Sequence, residues 1–380
     1  MTPDVIVIGT GPAGGAAANA LGQAGVATLL IDAQKLPRKK PCGGALPAAA
    51  RAWLGTLMAD TLEAEVSVMR MLYRGANEHV VEDTAASMLL VNRARFDYAY
   101  AEQAVATGHV TLRDNCRIRS INQSGGSVTV ETRSGELLIA RYVVIASGAR
   151  SHLVEHVGAR RAGRFGLALE TTVSAEMAGA GFERHCTQAT FDYDVAPAGY
   201  AWIFPKRGEL SCGIGGMASV GNLRKALSAF LQREIPELTA SVSSTGHIIP
   251  LYVTADRSFG TGRCLIAGDA ASLVDPISGE GIWYALQSGT LAGRICAWQL
   301  GAADDALDSF TGSRGKGVSE RAAATYEAIL AAELTGHLDA MAQLALPDYL
   351  EAPEYFYKTF IAPGHRHVDF YPRLLNARRR

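Results

Sequence analysis

Asp4-Val5-Ile6-Val7-Ile8-Gly9-Thr10-Gly11-Pro12-Ala13-Gly14 is the stretch that decides the fold. Its continuous β-branched run reads as a strand buried on both faces, as in a parallel sheet. An alanine-rich segment follows and reads as a helix through Leu21; Ala27 to Ile31 then reads as a second strand, ending in Asp32. The glycine spacing gives each position a physical task. Gly9 permits the tight turn, Gly11 lets a pyrophosphate approach the backbone, and Gly14 allows close packing of helix on strand. Asp32 stands where a carboxylate accepts hydrogen bonds from a ribose. Glycine spacing alone is weak evidence, but strand, helix, second strand and acid are all in order, which predicts dinucleotide binding.

A second cradle lies far along the chain. The apolar run Cys264-Leu265-Ile266-Ala267 leads into Gly268-Asp269, then Pro276, Gly279-Glu280-Gly281 and a helix-permissive segment from Ile282 to about Leu300. A carboxylate at a strand end can accept from a sugar-like hydroxyl chain. Glycines before a helix let its N-terminal N–H groups meet an electron-rich ring edge. The two cradles together point to FAD rather than NAD. No second G-x-G-x-x-G lies between a strand and a helix, so the electron donor, NADPH or reduced ferredoxin, is expected to visit transiently.

Composition narrows the class. With charged residues at 19% and a net charge of −1, a polyanion-binding surface and a nucleic-acid partner are not expected. Cysteines 42, 116, 186, 212, 264 and 296 are scattered, without a C-x-x-C pair, which argues against zinc and against a disulfide framework. His365 and His367 are close in sequence but suggest no third ligand, so no metal is expected. The first strand begins at once and leaves no room for a signal peptide, and no apolar run reaches about 18 residues. A cytoplasmic protein is expected, with peripheral membrane contact open.

Between the cradles, Phe96 to Thr107 reads as a helix and Arg117 to Ala140 as a three-stranded meander. Tyr142 to Ala146 reads as a buried strand returning to Ser147-Gly148. Alternation marks strands over Ala168–Val173, Thr187–Tyr193, Tyr200–Phe204 and Leu210–Ile214, interrupted by an amphipathic helix from Leu223 to Glu234. Ala306 to Leu346 reads as helical, with Leu330, Leu334, Leu338, Met341 and Ala345 in one stripe suited to core packing. Residues 347–380, ending in Arg378-Arg379-Arg380, read as a lid, an interface or a frayed tail.

Three motifs carry a family resemblance: Lys40-Pro41-Cys42-Gly43-Gly44-Ala45-Leu46-Pro47, Tyr200-Ala201-Trp202-Ile203-Phe204-Pro205-Lys206, and Gly268-Asp269 through Ile282. By these, roughly residues 4–300 resemble the geranylgeranyl reductase family, within the flavoproteins of p-hydroxybenzoate hydroxylase fold. The resemblance implies an α/β chain. Its Rossmann-type FAD-binding domain would comprise residues 1–65, 90–160 and 259–315. An inserted, mainly antiparallel β-sheet substrate domain would take 66–89 and 161–258, leaving a helical C-terminal segment at 316–380. The expected cofactor set is Gly9, Gly11, Pro12, Ala13, Gly14, Asp32, Cys42, Gly43, Gly44, Arg93, Gly148, Gly268, Asp269, Pro276, Gly279, Gly281 and Ile282. Within it, Gly9, Gly11, Gly14 and Asp32 would hold the adenosine half, Asp269 the ribityl or pyrophosphate region, and Pro276, Gly279 and Gly281 the pyrimidine edge. One departure is Ser147, where many relatives carry an aspartate.

The resemblance implies reduction of carbon–carbon double bonds in a prenyl chain, a hydrophobic small-molecule substrate, by hydride transfer from reduced flavin. Such chemistry asks for water exclusion, alignment and one proton. Cys42, a thiol beside Gly43-Gly44 and just after Arg38-Lys39-Lys40, is the first candidate for proton donor or redox relay; Tyr200 is the second. Tyr200, Trp202 and Phe204 share one strand face and read as a substrate wall, although three such aromatics also suit a plain core. Glu280 could tune the flavin or simply face its helix dipole, and Lys39-Lys40 could meet a diphosphate head group or only solvent. The fold equally serves oxygen-dependent monooxygenases and halogenases acting on aromatic substrates. Against a halogenase, Tyr200 and Phe204 replace a tryptophan and an isoleucine of the Trp-x-Trp-x-Ile-Pro signature. A non-enzymatic flavin-stabilised maturation partner is the third reading.

Overall fold

The computed structural model describes residues 2–82, 88–160, 164–217, 219–239, 242–254, 258–311 and 322–361. The Asp4–Ile8 run forms the strand Val5–Ile8, all four residues buried. It is central in a six-stranded sheet ordered Gly260–Thr261, Cys264–Ile266, Tyr142–Ile145, Val5–Ile8, Thr28–Ile31 and Val110–Arg113. All pairs are parallel except the edge strand Gly260–Thr261. Continuous burial of the inner strands Val5–Ile8, Tyr142–Ile145 and Cys264–Ile266 follows from helices covering the sheet, the arrangement that parallel crossovers impose.

Two helices on this sheet set the geometry of the site. Pro12–Gln23 and Ile282–Gln299 pack side by side, with Ala13 facing Gly289 and Ala17 facing Gly293. That register makes them parallel and brings both N-termini to one end. The approach is very close: a Cβ on Gly289 would stand 2.0 Å from the Ala13 carbonyl oxygen, and one on Gly293 would stand 2.5 Å from that of Ala17.

The second large sheet has seven strands, ordered Thr245–Pro250, Phe165–Ser174, Glu209–Gly216, Tyr200–Lys206, Gln188–Tyr193, Val68–Tyr73 and Ala76–Glu82. It is antiparallel except where Gln188–Tyr193 meets Val68–Tyr73. One face buries Leu169, Val173, Ala201, Ile203 and Ile214 against the helix Val220–Glu234; the other turns Trp202 and Phe204 inward. The meander forms a separate sheet of Ile118–Ser124, Ser127–Thr132 and Leu137–Ala140. Ala45–Leu46, Met88–Val91 and Leu62–Val66 form a fourth.

The long C-terminal helix expected from Ala306 is instead several pieces. Described helices run over Asp305–Thr311, Ala322–Glu333 and Thr335–Ala340, with a break at Leu334, and shorter turns continue to Ile361. The stripe does pack as core: Leu330, Leu334 and Leu338 join the main cluster, and Met341 joins a second one. In that second cluster Tyr349, Phe356, Tyr357 and Ile361 cover Met71, Tyr73 and Tyr193 of the seven-stranded sheet. The tail's described part is therefore a packed cover. His365, His367 and Arg378–Arg380 lie outside the described residues. No helix among the described residues is long and apolar enough to cross a membrane.

Candidate functional site

A single cavity of about 1360 Å³ runs between the parallel sheet and the seven-stranded sheet. Its lining includes Gly9, Gly11, Pro12, Ala13, Asp32, Cys42, Arg93, Gly148, Asp269, Pro276, Gly279, Gly281 and Ile282 from the expected cofactor set, and all three wall aromatics. Gly14, Gly43, Gly44 and Gly268 do not line it, and close packing accounts for each. A Cβ on Gly14 would lie 1.7 Å from the Gly9 carbonyl oxygen, and on Gly43 2.7 Å from the Phe204 ring. On Gly44, which has φ +71°, it would lie 2.1 Å from the Val91 carbonyl oxygen. Gly268, at φ +62°, fits between Ala13 and Ala285.

FAD fits these residues. The helix Pro12–Gln23 starts at Gly11 with no side-chain cap, so its first amides are free to meet a pyrophosphate at the positive end of the dipole. Asp32 is buried and held rigidly: its Oδ2 accepts from Thr10 N at 3.0 Å and Thr10 Oγ1 at 2.6 Å, and its Oδ1 from Gln34 N at 2.8 Å. Arg38 bridges it to Asp97, at 3.4 Å from each carboxylate. The Ile282–Gln299 helix likewise begins at Gly281 without a side-chain cap from that residue. Its first turn is met by Glu280, whose Oε1 accepts from Trp283 N at 2.8 Å. Asp275 shapes the preceding loop by accepting from Ile277 N at 2.9 Å and Ser278 N at 2.8 Å.

Cys42 sits where the cofactor end of the cavity meets the sheet. Glu170 Oε2 accepts from its backbone N at 2.7 Å, and its sulfur accepts from Gly44 N at 3.4 Å. The buried Arg93 guanidinium, paired to Asp97 at 2.8 Å and 3.0 Å, also acts electrostatically on that thiol. Burial works against the Arg93 charge, yet Asp97 and Cys42 outweigh it and raise its pKa. Behind the loop, buried Lys206 donates to the Val91 carbonyl at 2.8 Å, and burial brings its pKa down to about 8.

Farther in, Tyr200, Trp202 and Phe204 line one strand face: Tyr200 meets Trp202 edge-on with ring centroids 6.2 Å apart, Trp202 stacks on Phe204 at 6.0 Å, and Phe191 of the neighbouring strand contacts Phe204 at 5.3 Å. Period-2 spacing thus placed the three together as expected. Tyr200 donates its hydroxyl to the Ser278 carbonyl, and burial raises its pKa well above the ordinary value. Burial likewise lifts Glu280, to about 7, with Asp275 adding to the shift.

Sequence reasoning passed over Glu170, Asp97, His247 and the chamber residues Met69, Met88 and Phe191. For Glu170 a signal was present. Leu167, Leu169 and Val173 mark one face of the strand Phe165–Ser174 as core, so an acid at the alternate position faced the cavity side. Asp97 was also readable, as the residue one helical turn after Arg93. His247 carried no local signal.

Residues 2–195 match the FAD binding domain family, and residues 168–248 match the geranylgeranyl reductase catalytic domain. A menaquinone reductase of Mycobacterium tuberculosis is 32% identical over 335 residues, covering 77% of this chain and 76% of that protein. Digeranylgeranylglycerophospholipid reductase 1 of Methanopyrus kandleri is 29% identical, covering 81% and 83%. The chloroplastic geranylgeranyl diphosphate reductase of Oryza sativa is 28% identical, covering 77% and 65%. Among solved structures, a geranylgeranyl bacteriochlorophyll reductase-like protein of Thermoplasma acidophilum superposes with a TM-score of 0.76 at 20% identity, covering 99% of this chain and 95% of that one. Two cradles on one cavity, the Cys42 loop and these matches agree: the chain belongs to the geranylgeranyl reductase family of FAD-dependent oxidoreductases.

Proposed function

We propose that this chain saturates carbon–carbon double bonds of a prenyl chain held in the aromatic arm of the cavity. The observation that carries the reading is continuity. The lining of the cofactor cradle runs without interruption into that of a chamber of Met69, Met88, Phe191, Tyr200, Trp202 and Phe204. An isoprenoid tail offers only apolar surface, so its site must be a deep, greasy wall that leaves water out. FAD, when bound and reduced, supplies the hydride. NADPH or reduced ferredoxin is the transient donor in this reading.

The chain's own residues align the double bond, exclude water and deliver one proton. Cys42 is assigned the proton. Cys42 lines the cavity, and the charge left on its sulfur would be met by the Gly44 N–H and by the positive charge of Arg93. Glu170 fixes the loop that carries it. Tyr200 is assigned to the wall, because its hydroxyl proton is already given to the Ser278 carbonyl, a bond that ties the wall to the Pro276–Gly281 loop.

The test is single turnover of chemically reduced holoenzyme with geranylgeranyl substrates, first without and then with oxygen. Products heavier by pairs of hydrogens under anaerobic conditions are expected. A requirement for oxygen, with an oxygen or halogen atom added, would overturn the reading. Cys42→Ala should keep FAD bound and slow turnover by about 10²-fold or more, the contribution a general acid typically makes; an unchanged rate would return Cys42 to a structural role.

A further inference from the structure

We propose that Lys40 and His247 form a phosphate-binding subsite for a ligand that visits the cavity, separate from the place of the FAD pyrophosphate. Lys40 comes from the loop before Cys42, and His247 from the strand Thr245–Pro250 of the seven-stranded sheet. Both side chains line the cavity, and Lys40 Nζ lies 2.5 Å from His247 Nε2. At that separation, half-buried in the cavity wall, two groups that are cationic when protonated share a single proton.

The surroundings leave the pair short of negative charge. Asp269, Arg38, Arg93, Arg150 and the Cys42 thiol face it. Arg93 is taken up by Asp97, and Arg38 is shared between Asp32 and Asp97. Among the groups that act most strongly on the pair, Asp269 is the carboxylate set against Lys40, His247 and Arg150. Burial pushes Lys40 down, and pushes His247 down to about 4, with Lys40 adding to the latter shift. A seam between two sheets is filled at lower cost by apolar side chains than by two facing cations. A dianionic phosphate reverses the balance, since both nitrogens can then be protonated and donate charge-assisted hydrogen bonds. The FAD pyrophosphate has its own place at the uncapped start of the Pro12–Gln23 helix, where Arg38 Nη2 lies 3.7 Å from the position of a Gly11 Cβ.

Two sources share this chemistry: the head of a prenyl diphosphate, which rests on the proposed function, and a phosphate of a nicotinamide nucleotide donor. With reduced holoenzyme, KM is compared for geranylgeranyl diphosphate and geranylgeraniol in wild type, Lys40→Met, His247→Gln and Lys40→Arg. The expected result is a KM for the diphosphate at least about tenfold higher in the first two variants, erasing its advantage over the alcohol, with Lys40→Arg restoring it. If the advantage persists and the KM for NADPH rises about tenfold instead, the subsite serves the donor. If neither moves, or if FAD binding weakens by the same factor, the proposal is overturned. Should wild type reduce neither prenyl compound, the proposed function fails, and inorganic pyrophosphate decides the subsite. Calorimetry on oxidised holoenzyme should then show binding weakened about tenfold by Lys40→Met; equal binding, or none in wild type, overturns the subsite.

Discussion

Replacing Gly289 by alanine tests how the fold holds the cofactor cradle. In an exposed helix interior this change would stabilise by up to about 1 kcal/mol, because alanine loses less backbone entropy. Here the new methyl would stand 2.0 Å from the Ala13 carbonyl oxygen and 2.7 Å from the Ala13 Cα. Both are backbone atoms, so no side-chain rotation relieves the contact. The helices Pro12–Gln23 and Ile282–Gln299 must separate, against an overpacking cost of about 3 kcal/mol, the upper part of the usual range. The expected net loss is about 2 kcal/mol. Because Ala13 lies in the first turn of its helix, where a pyrophosphate would bind, the displacement would also move the amides that meet it. FAD affinity should fall at least about tenfold, the equivalent of 1.4 kcal/mol. Urea unfolding reads the first quantity, and fluorescence titration of the apoprotein with FAD reads the second. Gly221→Ala is the control: it lies in the helix Val220–Glu234 with open space around its Cβ position, and should be neutral or stabilising. A Gly289→Ala protein as stable as wild type, with unchanged FAD affinity, would refute the role assigned to this helix contact.

Glu280 gives a pH prediction whose sign follows from burial. Its carboxyl is lifted from 4.5 to about 7, so the native state holds the proton more tightly than the unfolded chain. That contribution is complete below pH 4.5 and lost as pH rises through about 7. It amounts to at most about 3 kcal/mol, less where water in the cavity screens the charge. Urea unfolding from pH 5 to 8 should therefore show wild type losing stability relative to Glu280→Gln, and parallel curves would contradict it. Asp32→Asn is expected to weaken FAD binding about tenfold or more. Its amide oxygen can accept from Thr10 N or from Gln34 N but not from both, so one of the two bonds that fix the carboxylate is lost, and at Thr10 the donor left over is buried. A dissociation constant within about twofold of wild type would show that Asp32 is not part of the ribose site.

The parts of this molecule that could be read from the sequence are those whose physical cause is local. Val5–Ile8, the turn at Gly9 and the helix from Pro12 are specified within a dozen neighbouring residues. The shared face of Tyr200, Trp202 and Phe204 needs only the two-residue period of a strand. The span from Ala45 to Val91 carried no comparable pattern, since its short strands are fixed by distant partners. Val68–Tyr73, for example, becomes a strand of the second sheet by pairing with Gln188–Tyr193. The expected C-terminal helix failed for a related reason. Its apolar stripe continues through Leu334, but the pieces beyond it are bent to cover Met71, Tyr73 and Tyr193 on that sheet.

The same distinction separates the cofactor site from the substrate site. Each FAD cradle lies within one supersecondary unit, so its residues announce themselves by spacing. The polar groups assigned to the substrate side in the proposed reading belong to different units: Cys42 and Glu170 are 128 residues apart, and Lys40 and His247 are 207 apart. Such contacts exist only after the loop that follows the first βαβ unit has docked onto the seven-stranded sheet, and no periodicity encodes that docking. What the sequence could reveal was half of each pair, as a cysteine before two glycines or an acid on the cavity-facing side of a strand. On the proposed reading, specificity is a property of the seam between the sheets. Substitutions that leave both cradles intact, at Glu170, Lys206 or His247, are the ones that should change what the flavin reduces.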